Sequence, residues 1–586
     1  MFGWNGKIGK VYLTEKKTET VPLDEEFLTN YLGGRGLGVK FVYDLVKPGI
    51  DPLSSENILA FAAGPLTGTS CPTSGRYATV SKSPLTGSIF DSNSGGNFGP
   101  ELKFAGFDGL VVLGKAEEPV YIEIHNGKIS IKDARHLWGK NTREVNRELS
   151  KFGRVACIGK AGEKGVRFAN IMNDYTHTCG RGGLGAVMGS KNLKAIVVKG
   201  NKKISISDRE RYKKYFQDIT RLLVASPVSS KGLSEYGTAV LVNLTNYMRI
   251  LPTGNFRFSR FDFAEEISGE KINSVFPIKK TPCYACPIAC KREVRNTEIE
   301  VPEYETISMF GSSCRISNIQ TIMRANRLCN EYGIDTITTG STIACYAELE
   351  GEELTDEKLL ELVELIGERK GIGQELCEGS MRFARANKNP DISMQVKGLE
   401  LPGYDPRGVL GLALGYATSN RGGCHLRAYM IGPEIFGKPK LVNRLTFSGK
   451  SGLVQVIQNL FTAVDSLVVC KFALFSVGEE EWANILSAVT GIDFVSESLL
   501  EIGERIWNIE RLFNLKEKFD NKDDTLPKRF FQEDGGVEGR NIKKDEFLAS
   551  LLEYYRFRGW DREGIPTKEK LAQLNIQIRI PPEREG

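Results

Sequence analysis

Three cysteines at C-x2-C-x3-C spacing, Cys283, Cys286 and Cys290 in the stretch CYACPIAC, constrain this chain most. Thiolates so spaced hold three irons of a cubane cluster, and the fourth ligand must come from elsewhere in the sequence. Zinc is the competing reading, but it usually brings a second Cys or His pair close by, and none lies near here. Structural burial of all three suits the segment poorly, because Pro282 and Pro287 break it into loop. The fourth thiolate has to be chosen among the other nine of the twelve cysteines. Cys470, in DSLVVCKF, follows a helical stretch and lies near a carboxylate; Cys424, in RGGCHLR, is its rival.

The rest of the composition narrows the setting. A chain of 586 residues has room for three or four domains' worth of core. With 41% hydrophobic and 26% charged residues it reads as a soluble globular protein. A net charge of +5, with neither a long basic block nor an aromatic-rich basic stripe, makes no case for nucleic acid. It leaves room for an acidic partner protein. No basic region leads into an apolar run at the N-terminus, and no window approaches the length of a membrane span, so neither secretion nor membrane insertion is expected. Cys157, Cys329, Cys345 and Cys377 lie in apolar stretches and read as small buried hydrophobes. With one clustered cysteine group and no disulfide-scaffold density, a reducing cytoplasm is expected. Four histidines are too few for a multi-histidine metal site.

Along the chain the text changes character twice. Residues 1–204 are β-rich and full of glycine, and VYIEIHNGKISI reads as a hairpin around an Asn-Gly turn. Glycine-rich loops are expected at Gly33 to Gly38, Asn93 to Gly99 and Gly180 to Gly189. Each alone is an ordinary turn. Three in one domain, two of them with an embedded arginine (Arg35, Arg181), point to a phosphate-bearing ligand. Residues 205–398 turn helical, with Asp208 opening one helix and apolar residues recurring at helical spacing from Ile319 to Leu349. Residues 399–586 alternate glycine-rich loops with long helices, clearest over Ser496 to Phe519 and Lys543 to Arg556. The expected fold is α+β: a β-rich N-terminal domain, then two mainly helical domains, with a cofactor at their interface.

Two side chains are acid–base candidates. Glu305, in VPEYETISMF, follows the cysteine motif where an apolar run begins. Apolar walls raise a carboxyl's pKa and suit it to proton transfer near neutrality, although on its own residues Glu305 reads more simply as a helix N-terminal carboxylate. His425, in NRGGCHLR, follows a glycine-rich loop; it reads either as functional or as a satisfied loop histidine.

A set of motifs in fixed order adds to these. They are AAGPLTGTSCPTSGRY (Ala62 to Tyr77), DSNSGGNFGPELKFAG (Asp91 to Gly106), CGRGGLGAVMGSKNLKAI (Cys179 to Ile196), CYACPIAC, VPEYE (Val301 to Glu305), GIDTITTG (Gly333 to Gly340), LPGYDPRG (Leu401 to Gly408), NRGGCH (Asn420 to His425) and DSLVVC (Asp465 to Cys470). Over most of its length the chain resembles the aldehyde:ferredoxin oxidoreductase family of tungsten enzymes.

That resemblance implies a tungsten (or molybdenum) atom held by two pterin dithiolenes with no protein ligand, a magnesium bridging the pterin phosphates, and a 4Fe–4S cluster beside them. It implies phosphate and magnesium contacts for Asn93 and Gly95 and for the turn Cys179, Arg181, Gly182. Arg76 is then expected between cluster and pterin, with Arg427 also at the cofactor, and the fork of an arginine suits such a place. The family carries two D-x-x-G-L-(D/C) motifs. Asp465 to Cys470 is the second, with Val468 and Val469 in place of glycine and leucine, and it favours Cys470 as the fourth cluster ligand. The first stands as Asn330, Gly333, Ile334 and Asp335, with Asn330 in place of aspartate. Glu305 and His425 match the family's proton-handling residues. Where some members ligate an interfacial metal through E-x-x-H, this chain has Arg324-Ala-Asn-Arg327, and two cations do not ligate a metal. The resemblance thus implies oxidation of aldehydes to carboxylic acids, with electrons leaving through the cluster to ferredoxin or a small iron–sulfur subunit. A homo-oligomer stays open. Another substrate within the family, formaldehyde or low-potential ring reduction, and an electron-transfer subunit lacking the pterin are the alternatives.

Overall fold

The computed structural model describes residues 1–577. Two six-stranded sheets build the N-terminal part. One has the order Lys17–Pro22, Lys7–Tyr12, Gly109–Leu113, Leu59–Ala62, Tyr77–Lys82, Ile89–Ser94. The other has the order His177–Cys179, Ile171–Asn173, Arg154–Cys157, Leu193–Lys199, Val120–His125, Lys128–Asp133. Neighbours are antiparallel except Lys7–Tyr12 beside Gly109–Leu113 and Leu193–Lys199 beside Val120–His125. Alternation along the strands sends Val11, Phe61 and Leu110 from the first sheet and Ile122, Ile124, Ile196 and Val198 from the second into one core. The expected hairpin is Val120–His125 with Lys128–Asp133. Its turn residues Asn126 (φ 48°) and Gly127 (φ 86°) are both left-handed, as a two-residue turn matching strand twist requires.

From Arg209 onward the chain is mainly helical. Asp208 caps Arg209–Ala225, its carboxylate accepting from Glu210 N (3.1 Å) and Arg211 N (2.9 Å). The periodic stretch from Ile319 divides into Ile319–Tyr332 and Thr336–Glu350, because left-handed Gly333 (φ 72°) ends one helix and Asp335 caps the next. Near the C-terminus the helices are Lys450–Leu467, Ser496–Lys516 and Lys544–Arg558. Among the described residues no helix is long and apolar enough to cross a membrane.

One expected loop is not a loop. Gly33 to Gly38 enters the helix Gly34–Leu45, which lies so tightly on the end of Lys450–Leu467 that a Cβ on Gly34 would strike Asp465 O and Val468. Glycine is needed here for close approach, and the approach carries Arg35 into the interior. Val468 itself is left-handed (φ 62°) and caps Lys450–Leu467, a conformation that glycine adopts without strain.

Candidate active site

The cysteine loop is assembled across distant parts of the chain. Ala285 and Ala289 have positive φ (49° and 51°), so the backbone doubles back between the thiols. Tyr284 N donates to Gly96 O (3.2 Å), Thr73 N to Ala285 O (2.8 Å), and Cys470 N to Thr73 O (3.2 Å). Thr73 therefore clips CYACPIAC to the DSLVVC segment, and the structure brings Cys283, Cys286, Cys290 and Cys470 together. Cys424 is engaged elsewhere: its Sγ accepts from Arg421 Nη2 (2.9 Å) and Leu426 N (3.3 Å). Burial pushes the Cys286 thiol up to about 12 and Cys290 well above its ordinary value, each also raised by the neighbouring cysteines. Among the described residues no three His, Cys, Asp or Glu side chains converge as ligands of one ion. A cubane places each thiolate on a different iron, so its ligands stand apart.

Arg76 joins this group to the NSGG loop. It is half-buried, and although desolvation opposes its charge, Cys470, Cys283 and Asp465 raise its pKa overall. Its Nε donates to Asn93 Oδ1 and its Nη2 to Asn93 O (3.1 Å). A Cβ on Gly95 would lie 2.8 Å from Cys283 Sγ and 3.3 Å from Arg76 Nη1, so only glycine lets the loop come this close. Cys179 closes the strand His177–Cys179 with its thiol in the core, pushed up to about 11 by burial. Gly182 is left-handed (φ 83°), and its carbonyl accepts from Ser83 Oγ (2.6 Å).

The two arginines of the glycine segments, expected to face a phosphate, each make several protein contacts. Arg35 forks onto Glu510 (2.7 Å twice) and reaches Asp465 and Asp91 (3.4 Å each). Arg181 donates to Asp335 Oδ2 (3.2 Å), Gly423 O (3.0 Å) and Glu400 O (2.7 Å), tying its turn to both the first family motif and the NRGGCH loop. Asp335 also caps Thr336–Glu350. Gly333 O accepts from Asn170 N (2.8 Å), and Asn330 O accepts from Thr142 Oγ1 (2.7 Å).

Asp465 is the hub of a buried charge network. It accepts from Arg427 Nη1 (3.1 Å) and Lys471 Nζ (2.8 Å) besides Arg35. Arg427 Nη2 reaches Asp91 Oδ1 at 2.6 Å. Despite burial, Arg427, Arg35 and Arg421 hold the Asp91 carboxyl far below the carboxylate range. Burial lowers Lys471, which directly follows Cys470, to about 8 although Asp465 opposes this.

Glu305 and His425 form the other end. Glu305 lies in the first turn of the short helix Tyr304–Ile307. Its Oε2 accepts from Gly403 N (2.8 Å), and Oε1 lies 3.4 Å from His425 Nε2. Glu305 keeps 18% and His425 10% of their side-chain exposure, while Glu305 Oε1 and His425 Nδ1 are themselves buried. Burial raises Glu305 to about 8, and burial with Arg181 and Arg421 pushes His425 well below its usual value. Around neutral pH these shifts favour a protonated carboxyl beside a neutral imidazole. Tyr404 and Tyr429 flank the imidazole at 5.5 and 5.7 Å between ring centroids, and their hydroxyls meet at 3.0 Å.

Sequence reasoning missed Asp91, Arg421, Glu510 and Lys471 as members of this centre, although Asp91 and Arg421 stand inside motifs already singled out and Lys471 directly follows one. Cys424, considered from the sequence only as a rival cluster ligand, has its own setting: desolvation would raise its thiol, but Arg421, Arg427 and Arg181 bring it down to about 7. The NRGGCH loop is the connection between the two ends, since His425 faces Glu305 while Arg427, two residues on, reaches Asp465 and so Lys471 and Cys470.

Buried polar atoms without protein partners collect around this loop: Arg421 Nε, Arg427 Nε, Asn93 Nδ2, His425 Nδ1 and Glu305 Oε1. A buried unpaired donor costs about 1–3 kcal/mol, so guanidinium and amide N–H groups left over here suit a ligand rich in acceptors. A phosphate-bearing cofactor fits that donor set, and four thiolates beside it fit an iron–sulfur cluster.

Comparison with known proteins agrees. Residues 8–200 match the family described as aldehyde ferredoxin oxidoreductase, N-terminal domain, and residues 214–576 match its domains 2 and 3. The chain is 46% identical to the tungsten-containing aldehyde ferredoxin oxidoreductase of Pyrococcus furiosus, covering 98% of this chain and 99% of that one. It is 32% identical to the WOR-like subunit of aliphatic sulfonate oxidoreductase from the same organism, over 98% and 97%. Among solved structures it resembles the active-site complex BamBC of benzoyl coenzyme A reductase, with a TM-score of 0.85, 26% identity and coverage of 98% and 97%.

Proposed function

The chain belongs to the aldehyde ferredoxin oxidoreductase family, and on that premise we propose that it oxidises aldehydes to carboxylic acids and hands the electrons to ferredoxin or a small iron–sulfur subunit. When bound, a tungsten bis-pterin centre with its bridging magnesium supplies the two-electron redox change, and a 4Fe–4S cluster on Cys283, Cys286, Cys290 and Cys470 supplies the one-electron exit. The protein's part is to bind, orient and move protons. Arg76, Asn93, Gly95, Arg427 and Asp465 would hold the cofactor. The Cys179, Arg181, Gly182 turn and the Asn330, Gly333, Asp335 segment frame it by backbone and capping contacts.

The observation that carries this reading is the Glu305–His425 pair. A carboxyl raised to about 8 takes and releases a proton near neutrality. Once ionised, Glu305 takes a proton from the hydrated substrate through Oε1, while the neutral imidazole of His425 donates a hydrogen bond to a substrate oxygen and orients it. Tyr404 and Tyr429 exclude water from the imidazole. Ring reduction, suggested by the likeness to BamBC, is disfavoured by this pair, which is suited to a carbonyl. All cysteines among the described residues are free thiols, which suits a reducing cytoplasm.

Metal and pterin analysis of the purified protein, followed by viologen reduction over aliphatic and aromatic aldehydes, tests the proposal. Tungsten and iron together with aldehyde-dependent dye reduction support it. A tungsten-loaded protein inert to every aldehyde contradicts it.

A further inference from the structure

The chain has four histidines, and two of them, His125 and His136, are exposed on the N-terminal domain. His425 belongs to the proton-handling pair. The fourth, His177, is used by neither end described so far, yet its Nε2 lies 3.3 Å from Cys283 Sγ. We propose that His177 is a positioning residue for the iron–sulfur end: its Nε2–H donates to the Cys283 thiolate and raises the reduction potential of the cluster bound there. This rests on the reading of the four cysteines as cluster ligands.

The donor and acceptor roles follow from the partners. A metal-bound thiolate has no proton to give, so the ring must donate from Nε2. Nδ1 lies 3.3 Å from Thr176 Oγ1, whose hydroxyl donates to it and selects that tautomer. The ring's place is fixed from below by pairing of His177 with Asn173 across the two antiparallel strands. From above, Gly95 and Gly96 lie against it: a Cβ on Gly95 would be 3.3 Å from its Cδ2, and one on Gly96 3.3 Å from its Cγ. The NSGG loop is held down in turn by Asn97 N on Asp174 Oδ2 (2.6 Å) and by Tyr284 N on Gly96 O (3.2 Å).

His177 also marks a boundary. It lines an open groove of about 790 Å³ together with Asp174, Thr281 and Pro282, the last of which precedes Cys283. The imidazole thus stands between solvent in the groove and the Cys283 sulfur. Hydrogen bonds to the sulfurs and solvent exposure both set the potential of such a cluster, because each stabilises the extra negative charge of the reduced state differently. An N–H aimed at the thiolate favours that reduced state.

The test is an anaerobic redox titration of the holoenzyme followed by the cluster's EPR signal, for wild type, His177→Phe and His177→Gln, each with iron content and Tm. The expected result is a lower midpoint potential for His177→Phe at unchanged iron, partly restored in His177→Gln, which keeps an N–H donor. An iron-replete His177→Phe titrating at the wild-type potential overturns the proposal and leaves the cluster reading intact. A chain without iron overturns both. Wild-type protein carrying 15N-histidine gives a second readout that needs no variant. Pulsed EPR of its reduced cluster should show coupling to an imidazole nitrogen, and a spectrum without that coupling overturns the proposal.

Discussion

The Asp465 network and the Glu305–His425 pair are both buried, but their charges are handled in opposite ways. Around Asp465 every carboxylate meets cations: Arg35, Arg427 and Lys471 on Asp465, and Arg427 and Arg35 on Asp91. Glu305 is held by one backbone N–H and a neutral imidazole, and the more distant Arg181 only partly offsets its burial. Paired charges stay charged and hold geometry, whereas a carboxyl buried without a cation titrates near neutrality. On the proposed reading one region is a frame and the other a proton carrier.

If the network is a frame, removing its hub is the most damaging change. Asp465→Ala leaves three buried cations short of a partner and should cost about 3–5 kcal/mol of stability, read by chemical denaturation. Iron content should fall with it, since Lys471 and Cys470 are adjacent. A variant as stable as wild type would erase the distinction. Glu305→Gln should behave in the reverse manner, with stability and iron retained and kcat lower by about 100-fold or more in steady-state assays.

The pH profile sharpens the comparison. Glu305 works as a base only when ionised, and its pKa is raised to about 8. Activity should therefore rise as pH rises through about 8 and be lost below it, and Glu305→Gln should lack that limb. The smallest effect concerns Cys424, whose negative charge raises the proton affinity of Glu305. Cys424→Ser should move the limb to lower pH by roughly a few tenths of a unit, with cluster EPR unchanged.

Local features were legible in the sequence. The hairpin at Asn126-Gly127, the cap at Asp208 and the three thiols of CYACPIAC are each written within a few residues. The family motifs added Cys470, which the structure joins to the cysteine loop through Thr73. What stayed hidden is long-range pairing. Arg35 reads as part of a glycine loop because its partners, Glu510 and Asp465, lie more than four hundred residues away. Arg181 likewise stands in a glycine turn while its contacts Asp335, Glu400 and Gly423 lie 154 to 242 residues away. Conversely, the free Nε atoms of Arg421 and Arg427 have no sequence signature, because they appear only once every other partner has been assigned.

The central claim is that proton transfer at Glu305 gates electron delivery to the thiolate-held cluster. Anaerobic addition of aldehyde to dye-free enzyme, with the cluster followed by EPR, tests it most directly. The expected result is a reduced-cluster signal in wild type and none on the same timescale in Glu305→Gln, although dithionite reduces both. Equal reduction of the two by aldehyde would contradict the account.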